Sequence, residues 1–540
     1  MPSRSWTVLL AVVAVLCYAH TLGHGFVHDD VPDLVRNVHV KSLGNLPTIF
    51  SSTAREGSGI QSALYRPLTT ASFALNYWIS GDSPWSYHLT NLALYVLTCI
   101  AVYRLMIVWP LSVHSCRVAS LLFAVHPVHV EVVANVAGRK EALMTLCGLL
   151  ALLAHEKART GRRAWLPVMA AGYLASMLSK ETGIVFWGLA ASRDLLLPTG
   201  EQWTGRDPRK ATTWTHGVWA LTVVSFALIR FSVVQQLGPT SIPHADNPLG
   251  DATTGVRLMT AVAVVGVGFS LLACPVRLSP DYSYNAIPLV QHLWDDRFAL
   301  TLIVIVAALV AAVALRRRAR ILLFGTVWYF LTLAPAANMV MPIGTIFGER
   351  LLFLPSVAAC AVAGYLLAEA LGCRDKAIVW SVAAALAGLL GVRTYTYAAT
   401  WKDPLSLFTA AVLVVQDSAK AQFNLGTHLA RSGRFLEAEP AFRRALEVSP
   451  DFSEAHNQLG NICTLTGRAD LALEHYVLAV RCGPDNVEAT FNLAKALDRR
   501  KSRSRAIEQY RRFLRQAPAA YDPQKRWVEE RIRILSRELR

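Results

Sequence analysis

The sequence predicts an all-α membrane protein, in which a polytopic bundle of about 11 transmembrane helices is followed by an α-solenoid of helical hairpins. Hydrophobic residues make up 53% of its 540 residues and charged residues only 17%, a composition too apolar for an ordinary soluble protein. Apolar runs alternate with short polar loops as far as about residue 395. After Lys420 no run approaches the roughly 20 residues that cross a bilayer, and a repeating pattern begins.

The basic charge of the chain indicates membrane topology. Its formal net charge is +16, and much of the excess stands in short blocks beside apolar runs, such as Arg159 to Arg163 and Arg316 to Arg320. Positive residues that flank transmembrane helices orient those helices in the membrane. This placement argues against nucleic-acid binding. The nine cysteines are scattered, mostly within apolar runs, and predict small buried residues and no disulfide framework.

The flanking charges give each apolar run an orientation. The first run, Trp6 to Gly23, follows Arg4 and lacks a clear cleavage pattern, so it predicts a signal anchor with a cytosolic N-terminus; a cleaved signal peptide is the alternative. The loop at about 24–88 is then luminal. The predicted spans lie near residues 6–22, 89–108, 118–133, 141–155, 164–178, 183–197, 214–233, 298–315, 321–335, 351–370 and 376–392.

The apolar run at 256–274 is interpreted as re-entrant or interfacial. Counting it as a full crossing would place the Arg316 block and the C-terminal repeats on the wrong sides of the membrane. Leaving it out gives an odd number of spans, and the C-terminal repeats are then luminal.

A repeat occupies the C-terminal part of the chain. Ala421, Ala455 and Ala489 are each separated by 34 residues, and Asn, Leu, Gly or Ala, aromatic and Pro residues recur at the same spacing. This period and the alternation of small and large residues are those of the tetratricopeptide repeat, a helical hairpin. The predicted domains are a multi-span domain at 1–400, a linker at 401–420, three repeats at 421–454, 455–488 and 489–522, and a charged capping helix at 524–540.

Charged residues at the edges of apolar segments mark candidate sites, because they are costly there unless they face a cavity. His28, Asp29 and Asp30 follow the first span by a few residues. Paired carboxylates in this position can supply a general base and a second hydrogen-bond acceptor. A turn or capping pair is the structural alternative.

A second cluster runs from His126 to Glu131 and continues through Asn135 to Arg139. Two histidines three residues apart with a nearby carboxylate suit either a divalent metal or a hydrogen-bonded substrate pocket. Pro127 interrupts the helix and no second set of ligands is visible, so a metal is not favoured.

Two further luminal clusters are Ser179 to Gly183 and Gly348 to Arg350. Lys180 offers a point charge to a phosphate and Arg350 a bidentate fork. Their structural alternative is an ion pair with the adjacent Glu181 or Glu349, or interfacial anchoring. Luminal carboxylates and luminal cations together predict a transferase whose donor is a membrane-borne phosphate ester.

These motifs, in this order, resemble the transmembrane and tetratricopeptide repeat-containing proteins, which are protein O-mannosyltransferases of the C-type glycosyltransferase superfamily. The resemblance covers nearly the whole chain. The matching stretches are Asp29-Asp30 with Asn37, Tyr65 to Thr69, His88 with Asn91, His126 to Glu131, Gly138-Arg139, Ser179 to Glu181, Leu278 to Ser283 and Glu349 to Ser356. The sequence departs from the family pattern at His39, at Lys140-Glu141 and at Tyr95.

The resemblance implies a C-type glycosyltransferase fold, a dolichyl-phosphate-mannose donor, Ser/Thr acceptors on secretory-pathway proteins, and an active site in the lumen of the endoplasmic reticulum. Asp29 is the expected base, with Asp30 beside it. The residues expected to bind the donor or its phosphate are Arg66, His126, His129, Glu131, Arg139, Lys180 and Arg350. No cofactor is expected.

The concave face of stacked hairpins suggests that the repeats bind an extended polypeptide. Asn424, Asn457 and Asn492 are expected to contact it, with simple solvation of these residues as the alternative. A rival function is a non-catalytic scaffold of the endoplasmic reticulum membrane, whose repeats recruit luminal partners. A transporter is disfavoured because internal repeats are not visible among the predicted spans.

Overall fold

The computed structural model describes residues 3–60, 62–197, 208–234, 242, 244–370, 375–518 and 521–539. All secondary structure within these ranges is helical, which confirms the predicted all-α class. The chain divides into two compact units. The first comprises residues 1–243, 247–280 and 289–407, and the second comprises 244–246, 281–288 and 408–540.

The first unit contains the apolar helices. Its α-helices are α1 (Arg4–Tyr18), α2 (Leu46–Ser51), α3 (Pro67–Ser80), α4 (Trp85–Met106), α5 (Val113–Ala124), α6 (Val130–Val133), α7 (Arg139–Arg159), α8 (Leu166–Ser179), α9 (Val185–Leu196), α10 (Pro208–Val233), α11 (Thr254–Ala273), α12 (Asp296–Ala314), α13 (Arg320–Leu333), α14 (Pro355–Tyr365) and α15 (Lys376–Ala399). The boundary between the units falls within α16 (Pro404–Val414).

Several of these helices can cross a membrane. Among the described residues, six are long and apolar enough, or seven if the bent pair Val113–Ala124 and Pro127–Val133 forms one span. Five of the six correspond to predicted spans, and the sixth is α11. The remaining predicted spans lie in α7, α8, α9, α13 and α14, which are shorter or more charged. A multi-span membrane domain is confirmed, while its total number of crossings stays a prediction.

Two predicted segments have a different shape from the expected one. The span at 118–133 is broken, with a bend of 50° between α5 and the helical segment that begins at Pro127. Proline removes a backbone donor and clashes with the preceding helical turn. The run at 256–274 was predicted to be re-entrant or interfacial; re-entry is wrong, because α11 is one continuous helix of 20 residues.

The first loop carries more structure than the predicted connection. It contains α2 and α3, and these helices enclose a small apolar core that includes Leu34, Ile49, Phe73 and Tyr87. The four side chains are at most 2% exposed. Burial of this apolar surface fixes the loop against the start of α4, so the polar residues that it carries have defined positions.

The second unit contains three helical hairpins and a terminal helix. The hairpins pair α17 (Ala419–Arg431) with α18 (Phe435–Val448), α19 (Ser453–Leu465) with α20 (Ala469–Cys482), and α21 (Val487–Arg499) with α22 (Arg503–Gln516). The last helix, α23 (Asp522–Glu538), buries Val528 and Leu535 in the core of the third hairpin. Residues 519, 520 and 540 of the predicted third repeat and cap lie outside the described residues.

The repeat unit also takes in two short segments from the N-terminal part of the chain. Lys420 forms an ion pair with Asp246, and the backbone N–H of Asn285 donates to the carbonyl of Asp417 at 3.0 Å. Residues 244–246 and 281–288 therefore belong with the repeats, although the predicted boundary places them in the membrane domain. The sequence did not predict that these segments pack with the repeats, because they lie more than 100 residues before most of the repeat domain.

Candidate active site

Asp30 ties the first loop to the second polar cluster. Its side chain is fully buried, and its two carboxylate oxygens accept hydrogen bonds from the backbone N–H of Val27 at 2.9 Å and of Ala137 at 2.7 Å. Burial raises the pKa of Asp30 to about 7 against the opposing effect of these two amides, and the charges of Asp29 and Asp33 raise it further. Both of its oxygens are thus occupied by contacts that hold the loop in place.

Asp29 points into a different environment. Its side chain is 20% exposed, and it lies 3.1 Å from Arg55 Nη2 and 3.8 Å from Lys140 Nζ. Burial favours the neutral carboxyl, but the charges of His28, Lys140 and Arg55 outweigh that effect and hold the pKa of Asp29 well below its usual range. Asp29 is therefore an accessible, ionised carboxylate, which is the form that a general base requires.

Asp33 shares the cations of Asp29. The Nε atom of Arg55 lies 2.5 Å from Asp33 Oδ1, and Lys140 Nζ lies 3.7 Å from Asp33 Oδ2. Asp33, Arg55, Arg66 and Lys140 also line one small cavity. Asp33 and Arg55 are not among the residues predicted from sequence. The spacing of Asp33, four residues after Asp29, was the available signal, because it places the two carboxylates on one side of a helical turn.

Lys180 and Arg66 each pair with a carboxylate from another segment. Lys180 forms an ion pair with Glu141, and Arg66 Nε lies 3.1 Å from an oxygen of Glu181. The predicted structural alternative, an ion pair between Lys180 and the adjacent Glu181, is wrong, because Glu181 turns towards Arg66 and the backbone N–H of Tyr65. Burial lowers the pKa of Lys180.

Arg350 pairs with Glu131 of the second cluster. Its guanidinium forms an ion pair with Glu131, and its backbone N–H donates to the other oxygen of Glu131 at 2.9 Å. The alternative partner Glu349 is wrong, since that side chain accepts instead from the backbone N–H of Ser279 at 2.7 Å. Gly138 permits this packing, because a Cβ atom there would lie 2.5 Å from the carbonyl oxygen of Glu131.

The two predicted histidines are fully or almost fully buried and have separate partners. His129 Nδ1 lies 2.9 Å from the hydroxyl of Tyr95, and its Nε2 lies 2.8 Å from the hydroxyl of Ser356. His126 Nε2 lies 3.1 Å from the carbonyl of Leu272. The described residues contain no group of three or more His, Cys, Asp or Glu side chains placed to hold a metal. Metal independence and the donor-binding roles of both histidines stay predictions.

Arg139 is buried within the protein. Its guanidinium donates to the side chain of Asn91 at 2.8 Å, to that of Asn76 at 2.5 Å and to the carbonyl of Tyr87 at 2.8 Å. These contacts join α3, α4 and α7 behind the charged cluster. Through these contacts Arg139 positions Asn76, Tyr87 and Asn91. Its role at the phosphate stays a prediction.

Five carboxylates and five cations thus gather in one region, which we term the charged cluster. Arg350 acts electrostatically on both Asp29 and Lys180, and Arg66 acts on Lys180, so the separate ion pairs are neighbours. The members of the charged cluster are Asp29, Asp33, Glu131, Glu141, Glu181, Arg55, Arg66, Lys140, Lys180 and Arg350. Segments far apart in sequence therefore form one polar site.

The three predicted peptide-binding asparagines differ in their surroundings. A groove of about 420 Å³ runs along the first helices of the repeats; we term it the repeat groove and define it by Arg431, Gln458, Asn461, Asn492, Lys495 and Arg499. Asn492 donates to Asn457 at 3.0 Å and to Asn461 at 3.2 Å. Asn457 is buried beneath this contact, and Asn424 is not among the lining residues.

Sequence comparisons agree with both units. A profile for the protein O-mannosyl-transferase TMTC family, DUF1736, matches residues 239–309, and tetratricopeptide-repeat profiles match residues 423–487 and 475–521. Protein O-mannosyl-transferase Tmtc3 of Drosophila melanogaster is 29% identical over 94% of this chain. The chain is thus similar to the TMTC proteins over most of its length.

Other protein O-mannosyl-transferases also match over most of the chain. Protein O-mannosyl-transferase TMTC3 of Homo sapiens is 27% identical over 94% of the chain, and F38B6.6 of Caenorhabditis elegans is 29% identical over 83%. The chain spans 63% of the length of the Drosophila and Caenorhabditis proteins and 60% of the human protein. It therefore corresponds to less than two thirds of these relatives.

A solved structure also matches at low similarity. It is the crystal structure of the Archaeoglobus fulgidus oligosaccharyltransferase tethered with an acceptor peptide. The match covers 80% of this chain and 58% of that one, at 12% identity and a TM-score of 0.38. A likeness this distant does not establish a common fold.

Proposed function

We propose that this protein transfers mannose from dolichyl-phosphate-mannose to Ser/Thr hydroxyls of secretory-pathway proteins. The names of the curated relatives, all protein O-mannosyl-transferases, support the reaction class. The observation that carries the proposal is the position of Asp29, an accessible and ionised carboxylate within a cluster of five cations. This arrangement combines a base for a hydroxyl with positive charge for a phosphate.

In the proposed reaction, Asp29 accepts the proton of the acceptor hydroxyl as that oxygen bonds to the anomeric carbon of mannose. The bond between that carbon and the phosphate oxygen breaks, and its electron pair stays on the departing dolichyl phosphate. The phosphate gains one negative charge in this step. Fixed positive groups stabilise such developing charge more than they stabilise the donor, and this difference accelerates the reaction.

Arg350 and Lys180 are the proposed partners of that phosphate, with Arg66 beside them. Each already pairs with a carboxylate, namely Glu131, Glu141 and Glu181. The carboxylates hold the cations in place before the donor arrives, so little reorganisation is needed at the moment of transfer. We infer that His126, His129, Glu131 and Arg139 support this arrangement.

The proposed location is the endoplasmic reticulum membrane, with the active site and the repeats on the luminal side. The multi-span domain supports a membrane location. The repeats are proposed to bind the acceptor polypeptide along their concave face, as stacked helical hairpins commonly do. Luminal repeats and a luminal active site then act on the same protein acceptor.

The proposal is tested by transfer of radiolabelled mannose to a Ser/Thr-rich polypeptide by the purified full-length protein in lipid nanodiscs. Dolichyl-phosphate-mannose should support transfer, and a nucleotide-linked mannose should not. A chelator should leave the rate unchanged, because we propose no metal. No transfer from either donor to a panel of secretory-pathway acceptors, by protein that retains its melting temperature, would favour the scaffold function instead.

A further inference from the structure

We propose that the repeat groove binds an acidic, extended segment of a polypeptide. Three cations, Arg431, Lys495 and Arg499, line the groove along the first helices of the repeats. Arg431 lies at the end of α17, whereas Lys495 and Arg499 lie one turn apart on α21. The positive charge is thus spread over the first and third repeats, as the recognition of an extended chain requires.

The groove cations form no ion pairs with other residues in the part of the chain that the structure describes. Lys495 Nζ instead lies 5.3 Å from the centre of the Phe491 ring. Some basic residues of the repeats outside the groove lining do form ion pairs. Arg434 pairs with Glu437, and Arg443 and Arg468 both pair with Glu439. Carboxylates therefore neutralise some of the arginines outside the groove, whereas the three groove cations keep their charge unpaired among the described residues.

The lining of the groove lacks negative charge throughout its described residues. Its polar members other than the cations are amides and hydroxyls, including Gln458, Asn461 and Asn492. A positive concave surface without carboxylates raises the local concentration of anionic partners and rejects cationic ones. The partner that fits this surface carries Asp or Glu side chains.

The amide groups favour a polypeptide over a nucleic acid. Asn461 and Asn492 meet at 3.2 Å, and the hydroxyl of Tyr476 donates to Asn461 at 2.8 Å, so the two amides are held in position. A primary amide has both donors and acceptors, which complement the N–H and C=O groups of an extended peptide backbone. The phosphates of a nucleic acid offer acceptors alone, so only its bases and sugar hydroxyls could donate to the amide oxygens.

This inference deepens the proposed function, since it rests on that function for the identity of the peptide as part of an acceptor protein. Binding itself requires no transfer. A peptide that alternates Glu with Gly and Ala contains no hydroxyl acceptor and cannot be mannosylated. Its binding therefore tests the groove separately from the enzyme.

The experiment measures fluorescence anisotropy of this labelled Glu peptide with the full-length protein in nanodiscs of neutral lipid. The triple variant Arg431→Gln/Lys495→Gln/Arg499→Gln should bind about tenfold more weakly, because exposed ion pairs contribute modestly and three are removed. Raising the salt concentration should weaken wild-type binding and affect the variant less. The corresponding Gln and Lys peptides should bind weakly to both proteins.

A matched control is Arg481→Gln/Arg505→Gln/Arg511→Gln, which removes the same charge from exposed positions outside the groove lining. This variant should bind the Glu peptide like the wild type. Equal loss in both triple variants would overturn the proposal in favour of a general charge effect. Equal binding of the Glu and Gln peptides by the wild type, or tighter binding of single-stranded RNA than of the Glu peptide, would also overturn it.

Discussion

At the scale of single residues, adjacent carboxylates have divided roles. Asp29 is partly exposed among cations, whereas Asp30 is buried with both oxygens bound to backbone amides. The resemblance implies Asp29 as the base, but the sequence alone does not show the environments that separate the pair, because one partner of Asp30 is Ala137, more than one hundred residues away. The environments also separate their pKa values, and this separation can be measured in the reaction.

The pH dependence of kcat/KM should distinguish the two carboxylates. A base acts only when it is deprotonated, so activity falls as pH drops below its pKa. The pKa of Asp29 lies well below its usual range, whereas that of Asp30 is raised to about 7. If Asp29 is the base, kcat/KM should not fall as pH drops through 7, because the Asp29 carboxylate stays deprotonated there. A fall with an apparent pKa near 7 that disappears in Asp30→Asn would assign the base to Asp30 instead.

Sequence reasoning recovered part of the charged cluster and missed another part. It selected Lys180 and Arg350 from their motifs, but assigned them adjacent carboxylates as alternative partners. Arg55 was not predicted as a site residue, because its partners Asp29 and Asp33 lie in another part of the loop. Pairing of this kind depends on tertiary packing, which local sequence does not specify.

At the scale of elements, small residues set the spacing of the repeat helices. A Cβ atom at Gly460 of α19 would lie 2.5 Å from the ring of Tyr476 in α20. The 34-residue period predicted this hairpin correctly, because each hairpin of the array makes the same contact between a small and a large residue. By contrast, the unbroken form of α11 was not predicted, since a hydrophobic run alone does not distinguish a crossing from a re-entrant segment.

Gly460→Ala should destabilise the second repeat. Overpacking against Tyr476 costs about 1–3 kcal/mol, and the higher helix propensity of alanine offsets roughly 1 kcal/mol of this. Hydrogen exchange of α19 and α20 should therefore become several-fold faster. The double variant Gly460→Ala/Tyr476→Leu removes the ring and should recover part of the protection. Unchanged exchange in the single variant would show that α19 and α20 accommodate the added methyl group with no loss of stability.

At the scale of the whole molecule, the number of crossings determines the side on which the repeats lie. The prediction of luminal repeats depends on α11 not being a full crossing. Length and composition alone allow α11 to cross, so the membrane orientation needs a direct measurement. The chain offers a clean background, because its sequence contains no Asn-x-Ser/Thr glycosylation site.

Single substitutions supply the reporters for this measurement. Arg500→Asn completes a glycosylation sequon with Ser502 in the third repeat, and Glu56→Asn completes one with Ser58 in the first loop. Luminal repeats predict that both variants are glycosylated in cells, as shown by a mobility shift that endoglycosidase removes. Modification of the first-loop variant alone would contradict the luminal placement of the repeats.

The proposed mannose transfer depends on Asp29 as its base. It is tested most directly by the rate of mannose transfer from radiolabelled dolichyl-phosphate-mannose by purified wild type, Asp29→Asn and Asp30→Asn in nanodiscs. General-base catalysis contributes about 10²–10⁴-fold, so Asp29→Asn should lose at least about 100-fold in kcat while the protein stays folded. Asp30→Asn should lose less activity and melt at a lower temperature. Wild-type turnover by folded Asp29→Asn would rule out Asp29 as the base.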